Sequence, residues 1–145
     1  MKTTFASYIN FLQRDFLEYT KQQLKEINLT YGQLPLIIYI GKHPNCSQAE
    51  LTEHLQLDWG YSQRTINKLV LTGFVFKTNT SKNNQLSLTV KGQEAFDLSH
   101  HLFFSWDSEA LKDLSEEEIK SLKAILQKIA RKKLQNLPDY MQSQD

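Results

Sequence analysis

The apolar residues near the N-terminus recur every three or four positions, which is the spacing of one helix face. They are Phe5, Ile9, Leu12, Phe16 and Tyr19. This pattern predicts a long first helix that runs to about Ile27.

Three further helix starts are marked by a Ser or Thr followed three residues later by Gln or Glu, a pairing that satisfies two backbone N–H groups. The pairs are Thr30 with Gln33, Ser47 with Glu50, and Ser115 with Glu118. They predict helices that begin near Thr30, Ser47 and Ser115. Because Pro35 follows the first pair closely, the second helix is expected to start late or to bend there.

The stretch LDWGYSQRTINKLVLTGF, residues 57–74, also has a helical period, but its two sides differ. The side predicted to be buried holds Ser62, Ile66, Leu69, Val70 and Gly73. The side predicted to face outward holds Tyr61, Gln63, Arg64, Asn67 and Lys68. Gly73 suits the left-handed position that commonly ends a helix.

Two β-forming runs follow, at residues 74–78 and 86–90, and the polar tip at 79–85 between them predicts a hairpin. A long helix is expected from Lys91 or Gly92 to near Asp113, and a final helix from Ser115 to about Leu134. The tail, residues 137–145, is expected to fray. The chain is therefore predicted to be mostly α with a small β-hairpin.

Length and composition predict one cytoplasmic domain. The 145 residues suffice for a real core. No apolar run approaches the roughly 20 residues that a membrane span needs, so no membrane partner is expected. Polar residues interrupt the N-terminal segment, which therefore does not read as a signal peptide. A single cysteine, Cys46, excludes an intramolecular disulfide and suits a reducing compartment.

The charge distribution is more informative than the net charge of +1. Between Trp59 and Gln93 there is no Asp or Glu, and acids crowd the chain from Glu94 onward. The five cations in that acid-free segment are Arg64, Lys68, Lys77, Lys82 and Lys91. An acid-free basic segment indicates a local anion-binding face, with chance clustering on a solvated surface as the alternative.

A helix, a short helix, an outward-polar helix and a basic hairpin follow one another as in a winged helix-turn-helix. In this order the chain resembles the MarR-type (multiple antibiotic resistance regulator) transcription factors over nearly its whole length. The segments that carry the resemblance are LTYGQLPLIIYI, SQAELTEHLQLDWGYSQRTINKLVLTGFV, LSLTVKG and LSEEEIKSLKAILQKI. The resemblance implies one MarR-like domain over residues 1–145, with a DNA-binding lobe at about 30–92. Long dimerisation helices are expected at about 1–28 and 93–136.

The outward-polar helix is then the expected recognition helix, because such a helix can enter the major groove and meet base edges. Arg64 and Lys68 are expected to donate to guanine acceptors or to phosphates. Gln63 and Asn67 are expected to pair with adenine edges. The alternative for each residue is ordinary solvent exposure.

Three other residues are expected to support this contact. Tyr61 is expected to approach a thymine methyl or a phosphate, and Gly60 allows close approach of the backbone. Ser47 caps the preceding helix, whose N-terminus is expected to meet a phosphate.

The wing departs from the family pattern. The family usually carries an Asp-x-Arg motif there, whose Arg enters the minor groove. Counting back from Leu88, the Arg position falls on Lys82 and the Asp position on Thr80. Lysine lacks the planar guanidinium, so Lys82 is expected to contact phosphate or groove with less sequence information.

The resemblance also implies a homodimer built from the first and last helices. The residues expected to form it are Phe5, Ile9, Leu12 and Phe16 together with Ile119, Leu122, Ile125, Leu126 and Ile129. The alternative is that these stripes only close the core of one chain, but the length of the first helix favours a dimer. Two recognition helices would then read half-sites roughly 34 Å apart.

Three groups of residues bear on how the protein could be regulated: the cysteine, the histidines and a set of aromatic residues. Cys46 suits either a redox role or packing against Leu51 beside the Ser47 cap. His100 and His101 lie near Asp97 and Glu94, with His43 and His54 elsewhere, but no spacing enforces a metal site, so none is predicted. The aromatic residues are read as core or as the pocket for a small apolar or aromatic effector that the resemblance implies. They are Phe96, Phe103, Phe104 and Trp106.

The sequence thus predicts a homodimeric, sequence-specific regulator of double-stranded DNA, a repressor of a pseudo-palindromic operator that a small ligand releases. The alternatives are a winged-helix protein-interaction module and a redox- or metal-responsive regulator. No enzyme activity and no cofactor are expected, because the sequence shows no catalytic triad order, Gly-rich phosphate loop or metal-ligand spacing.

Overall fold

The computed structural model describes residues 2–79 and 84–131, and those residues are mostly helical with a small antiparallel sheet, as the sequence predicts. The helices are α1 (Phe5–Lys25), α2 (Leu34–Lys42), α3 (Gln48–His54), α4 (Trp59–Leu71), α5 (Val90–Ala110) and α6 (Glu116–Ala130). The strands are β1 (Cys46–Ser47), β2 (Val75–Asn79) and β3 (Asn84–Leu88). None of the described helices is long and apolar enough to cross a membrane.

The sheet contains one strand that the sequence analysis missed. Its order is β1-β3-β2, with Cys46 opposite Leu86 and Val75 opposite Leu88. The two residues of β1 are too few to show a period. The second hairpin strand was predicted too late, at 86–90, because Val90 already belongs to α5.

The caps explain where the helices begin. The Ser47 hydroxyl accepts from the Glu50 N–H at 3.1 Å, and Ser115 does the same for Glu118. Each Glu carboxylate in turn accepts a hydrogen bond from the N–H of its cap residue. At the helix start predicted near Thr30, Gln33 accepts from the Thr30 N–H at 2.9 Å, but only a 3₁₀ turn follows, Tyr31–Gln33. The second helix therefore starts late, at Leu34, with Pro35 in its first turn.

Two helices end earlier than predicted. Helix α1 stops at Lys25 because Asn28 takes a left-handed φ of 58° and the Leu29 N–H turns back to the Leu24 carbonyl at 3.1 Å. Helix α5 stops at Ala110, before the expected Asp113. The predicted end of the last helix at Leu134 and the tail at 137–145 lie outside the described residues.

Helix α2 forms the centre of the core. It is apolar on every side, and Leu36, Ile37 and Ile40 are almost completely buried. It packs on α5 at Gly41, where any side chain would overlap the ring of Phe96. Around α2 the core is completed by Leu24, Leu51, Ile66, Leu69, Phe74, Leu86 and Leu102.

Candidate nucleic-acid interface

Helices α3 and α4 are joined by a buried hydrogen bond that positions α4. The hydroxyls of Thr52 and Ser62 lie 2.6 Å apart. Thr52 donates to the carbonyl of Gln48 at 2.7 Å, so its single proton is used and Ser62 is the donor between the two hydroxyls. Both side chains are buried. Because an unpaired buried hydroxyl is costly, this pair favours one orientation of α4 against α3.

The two-sided pattern of α4 is confirmed with one correction. Ser62, Ile66 and Leu69 are completely buried, but Val70, predicted to be buried, is 37% exposed. At about 100° per residue Val70 lies about 90° from the middle of the buried side, so it falls at its edge. Thr65 is buried instead and donates to the Tyr61 carbonyl at 2.8 Å. Gly73 ends the helix with a φ of 85°, as predicted.

The polar side of α4, which consists of Gln63, Arg64, Asn67 and Lys68, is exposed to solvent. Within it, the guanidinium of Arg64 lies over Gly60 at the start of the helix. A Cβ at Gly60 would stand 3.0 Å from Arg64 Nη1 and 3.2 Å from the carboxylate of Asp58, which caps α4 through the Tyr61 N–H. The missing side chain at Gly60 therefore leaves room for the Arg64 head group.

Tyr61 lies at the edge of this polar side, in the first turn of α4, and its hydroxyl reaches back toward the protein. Its hydroxyl stands 3.1 Å from the point where Gly32 would carry a Cβ, so the ring joins α4 to the 3₁₀ turn before α2. The side chain is nevertheless 40% exposed. A contact between Tyr61 and DNA stays a prediction, and in this structure its evident role is to hold α4 in place.

The C-terminal end of α4 is fixed to the start of α5. Lys91 donates to the Thr72 carbonyl at 2.8 Å and lies 4.3 Å from the centre of the Phe74 ring. Thr89 accepts from the Gly92 N–H at 3.0 Å and donates to the Gly73 carbonyl. A side chain at Gly92 would overlap the Phe74 carbonyl. Lys91, counted from the sequence among the anion-binding cations, is thus occupied in capping α4.

Comparison with known proteins identifies this arrangement. A sequence model of the MarR family matches residues 27–83, which begin just after α1 and include α2, α3, α4 and β2. Over 136 residues the chain is 39% identical to the HTH-type transcriptional regulator BilQ of Clostridium symbiosum, a match that covers 92% of this chain and 94% of that protein. The chain belongs to the MarR family.

Solved structures agree with this MarR-family assignment. MepR, a transcription regulator of the Staphylococcus aureus multidrug efflux pump MepA, superposes with a TM-score of 0.78. It covers 90% of this chain and 98% of its own, and its 18% identity supports the fold alone. A MarR family transcriptional regulator from Listeria monocytogenes, complexed with 26mer DNA, is 27% identical with a TM-score of 0.66 and covers 91% of this chain and 89% of its own. The chain is thus a winged-helix transcriptional regulator.

The two remaining sequence-predicted DNA contacts of this MarR-family regulator are Ser47 and Lys82. Ser47 is half-buried, and its hydroxyl is occupied by the Glu50 N–H. The Glu50 carboxylate lies at the same helix start, where its charge would repel a phosphate. Lys82 lies outside the described residues, and its contact stays a prediction.

The thiol of Cys46 has the properties of a packed residue in this regulator. It is 3% exposed, and burial, together with the nearby charge of Glu50, raises its pKa to about 11. A redox-sensitive thiol needs the opposite shift, because the thiolate is the reactive form.

His43 and His54 lie apart from His100. His43 and His54 stack on Tyr39 with ring centres 4.4 and 4.9 Å away. His100 instead places Nδ1 2.9 Å from the Phe96 carbonyl in α5. In the part of the chain that the structure describes, no three His, Cys, Asp or Glu side chains are grouped as a metal site requires.

The predicted dimer residues lie mostly on open surface. On α1, Phe5, Ile9 and Leu12 are exposed, and so are Tyr8 and Phe11, which sequence reasoning omitted. On α6, Ile125, Leu126 and Ile129 are exposed, and Ile119 and Leu122 are half-buried. We call these exposed apolar side chains of α1 and α6 the α1/α6 surface. They do not close the core of one chain.

Phe16 differs from its predicted partners. It is half-buried in its own chain, with ring centres 5.3 Å from both Phe103 and Trp106 of α5. Trp106 also donates to Asp15 at 3.0 Å. The aromatic residues read as one core or pocket are thus divided: Phe103 and Trp106 pack on α1, Phe96 packs on α2, and Phe104 is exposed.

Proposed function

We propose that this MarR-family regulator binds double-stranded DNA as a homodimer and represses transcription from a pseudo-palindromic operator. The observation that carries the proposal is the polar side of α4. Its four side chains project from a helix whose opposite side is buried and whose two ends are fixed. A rigid helix that presents Gln, Arg, Asn and Lys matches the donor and acceptor pattern of the major groove.

The charge around α4 supports an anionic partner. Arg64 and Lys68 stand on its exposed side, and no acid occurs from Trp59 to Gln93. A protein-interaction surface has no need to exclude acids, whereas DNA presents a phosphate on each strand about every 3.4 Å. The Listeria relative, which was solved with DNA, lends further support. Within this proposal Arg64 and Lys68 contact guanine or phosphate, and Gln63 and Asn67 contact adenine.

The dimer is proposed from the α1/α6 surface. Phe11 on α1 is 69% exposed and Ile129 on α6 is 57% exposed, and a helix side that exposes several large apolar side chains commonly marks an interface. We assign residues 30–92 to the DNA-binding lobe and residues 1–28 and 93–136 to dimerisation. A two-fold dimer would place its recognition helices in successive turns of the major groove, roughly 34 Å apart.

Binding is tested with a fluorescent duplex selected from a random pool by the full-length protein, titrated at several salt concentrations. The expected result is an affinity that falls steeply with salt, because phosphate contacts release counterions. Light scattering on the same sample is expected to give twice the mass of the chain. Absence of duplex binding even at low salt would overturn the proposal.

The repressor role and its relief are tested separately. A reporter driven by a promoter that carries the selected duplex is expected to be silenced when the regulator is present. Release by a small apolar or aromatic effector, and residence in the cytoplasm, stay predictions from the sequence. A ligand screen for compounds that dissociate the duplex complex tests the first of them.

A further inference from the structure

We infer that Leu71 reads DNA sequence by contacting the 5-methyl group of a thymine in the major groove. The inference rests on the proposed DNA binding of α4 and adds an apolar contact to its polar side. Leu71 is the last residue of α4 and is 86% exposed. Sequence reasoning passed over it, because an apolar residue in a helix is usually assigned to the core.

The direction of Leu71 places it in the middle of the surface that α4 presents. At about 100° per residue, Leu71 points about 170° away from the mean direction of the buried residues Ser62, Thr65, Ile66 and Leu69. Arg64 and Asn67 point about 150° away, one on each side of Leu71. The side chain therefore lies on the centre line of the candidate reading surface.

The C-terminal turn of α4 is electrostatically able to approach DNA. A free helix C-terminus carries partial negative charge that phosphates would repel. Here the Lys91 ammonium sits on the Thr72 carbonyl at 2.8 Å, immediately after Leu71, and offsets that charge. Because no acid follows Asp58 until Glu94, no carboxylate between Trp59 and the end of α4 repels phosphates along the helix.

The chemistry of the groove then selects the partner of Leu71. Base edges in the major groove present hydrogen-bonding groups and one apolar group, the thymine methyl. Leucine neither donates nor accepts a hydrogen bond, so the methyl is the feature it can recognise. Leu71 lies seven residues beyond Arg64, about 10 Å along the axis, which is about three base-pair steps.

The test uses the selected duplex with its thymines replaced one at a time by deoxyuridine, which removes only the methyl group. For the wild-type chain, one thymine per half-site is expected to lose about fourfold in affinity on replacement, the value of one buried methyl-sized group. Leu71→Ala is expected to lose a similar factor on the unmodified duplex and to show no further loss with deoxyuridine at that thymine. Val70→Ala, a neighbouring apolar truncation at the edge of the buried side, is the matched control and should keep the wild-type response.

The outcomes separate this inference from the proposed function. If the wild-type chain binds no duplex, both fail. If it binds tightly but no single deoxyuridine weakens binding, the proposed function stands and the role of Leu71 is overturned. The same conclusion follows if Leu71→Ala keeps the deoxyuridine penalty, or if it loses affinity equally for every duplex. In those cases Leu71 would be one of the isolated exposed apolar residues that most protein surfaces contain.

Discussion

The winged-helix lobe and the α1/α6 surface place their apolar side chains in opposite environments. In the lobe, α2 is buried along nearly its whole length, and Ile66, Leu69 and Phe74 close the core around it. In α6, no side chain among residues 116–130 is buried, although the helix is well capped and has three acids in its first turn. The lobe can thus be stabilised by its own packing, whereas α6 is a helix whose apolar side needs a second surface.

The largest effect is expected on the α1/α6 surface from Ile125→Glu. A charge placed in an apolar interface without a partner costs about 3–5 kcal/mol, so the proposed dimer should dissociate at micromolar concentration. Analytical ultracentrifugation measures this, and operator affinity should fall with it. Gln127→Glu, which adds the same charge about 200° around α6, is the matched control and should remain dimeric. A dimeric Ile125→Glu variant would show that α6 is not the interface.

A somewhat smaller effect is expected in the lobe from Ile66→Ala. Ile66 is completely buried, and truncating such a residue costs about 3 kcal/mol through lost burial and a cavity. Urea unfolding followed by circular dichroism measures the change. Val70→Ala on the same helix is expected to cost under about 1 kcal/mol, because Val70 is partly exposed. Equal costs for the two variants would contradict the described orientation of α4.

Arg64→Ala tests the exposed polar side of α4 without changing the core of the lobe. We expect operator binding to weaken by about 1–3 kcal/mol, with unfolding free energy nearly unchanged. Fluorescence anisotropy at several salt concentrations measures both the affinity and its slope. Arg64→Lys keeps the positive charge but lacks the planar guanidinium. Compared with Arg64→Ala, it should therefore restore the salt dependence of the affinity more fully than the sequence preference. Wild-type affinity in Arg64→Ala would count against a groove contact.

Gly60→Ala is expected to weaken binding with little change in stability. Alanine is favoured over glycine in a helix by about 0.5–1 kcal/mol, but the new methyl group would also stand 3.2 Å from the Asp58 carboxylate that caps α4, so the midpoint of urea unfolding should change little. The new methyl group would stand 3.0 Å from Arg64 Nη1, which must then move, and operator affinity should fall. Because Arg64 is the group displaced, Gly60→Ala should cost little in an Arg64→Ala background. If Gly60→Ala lowered operator affinity equally in the Arg64→Ala background, Gly60 would act through its backbone and not through Arg64.

The smallest effect is expected when the native protein is treated with a thiol reagent that could modify Cys46. With a pKa of about 11 and a buried side chain, it should react slowly with thiol reagents at neutral pH until the protein is denatured. The pKa of Cys46 in the folded chain lies above the ordinary value of 9.0. Between about pH 9 and pH 11 the thiol therefore keeps its proton in the folded chain and loses it in the unfolded chain. This contribution to stability is therefore present below about pH 9 and is lost between about pH 9 and pH 11. Rapid labelling of the native protein would reopen a redox role.

Local signals explain which parts of this comparison were predictable. The Ser47 and Ser115 caps and the left-handed Gly73 act within a few residues of chain, and the sequence placed all three correctly. The helical period of apolar and polar residues along α4 also predicted which side carries Arg64 and Lys68. Phe16 and Lys91 were assigned outward roles because their partners, Phe103 with Trp106 and the Thr72 carbonyl, are distant or depend on the folded backbone.

By itself the sequence determined the order of the helices, the position of the hairpin and the polar side of α4, since periodicity and capping depend on near neighbours in the chain. Only the tertiary structure decided how that side is held and used. It brought Thr52 to Ser62, Tyr61 to Gly32 and Lys91 to the end of α4. These contacts join residues from different elements, and their energies exist only once the backbone has brought the elements together. The exposed position of Leu71 follows from the same packing, because burial of the opposite side of α4 turns this residue outward.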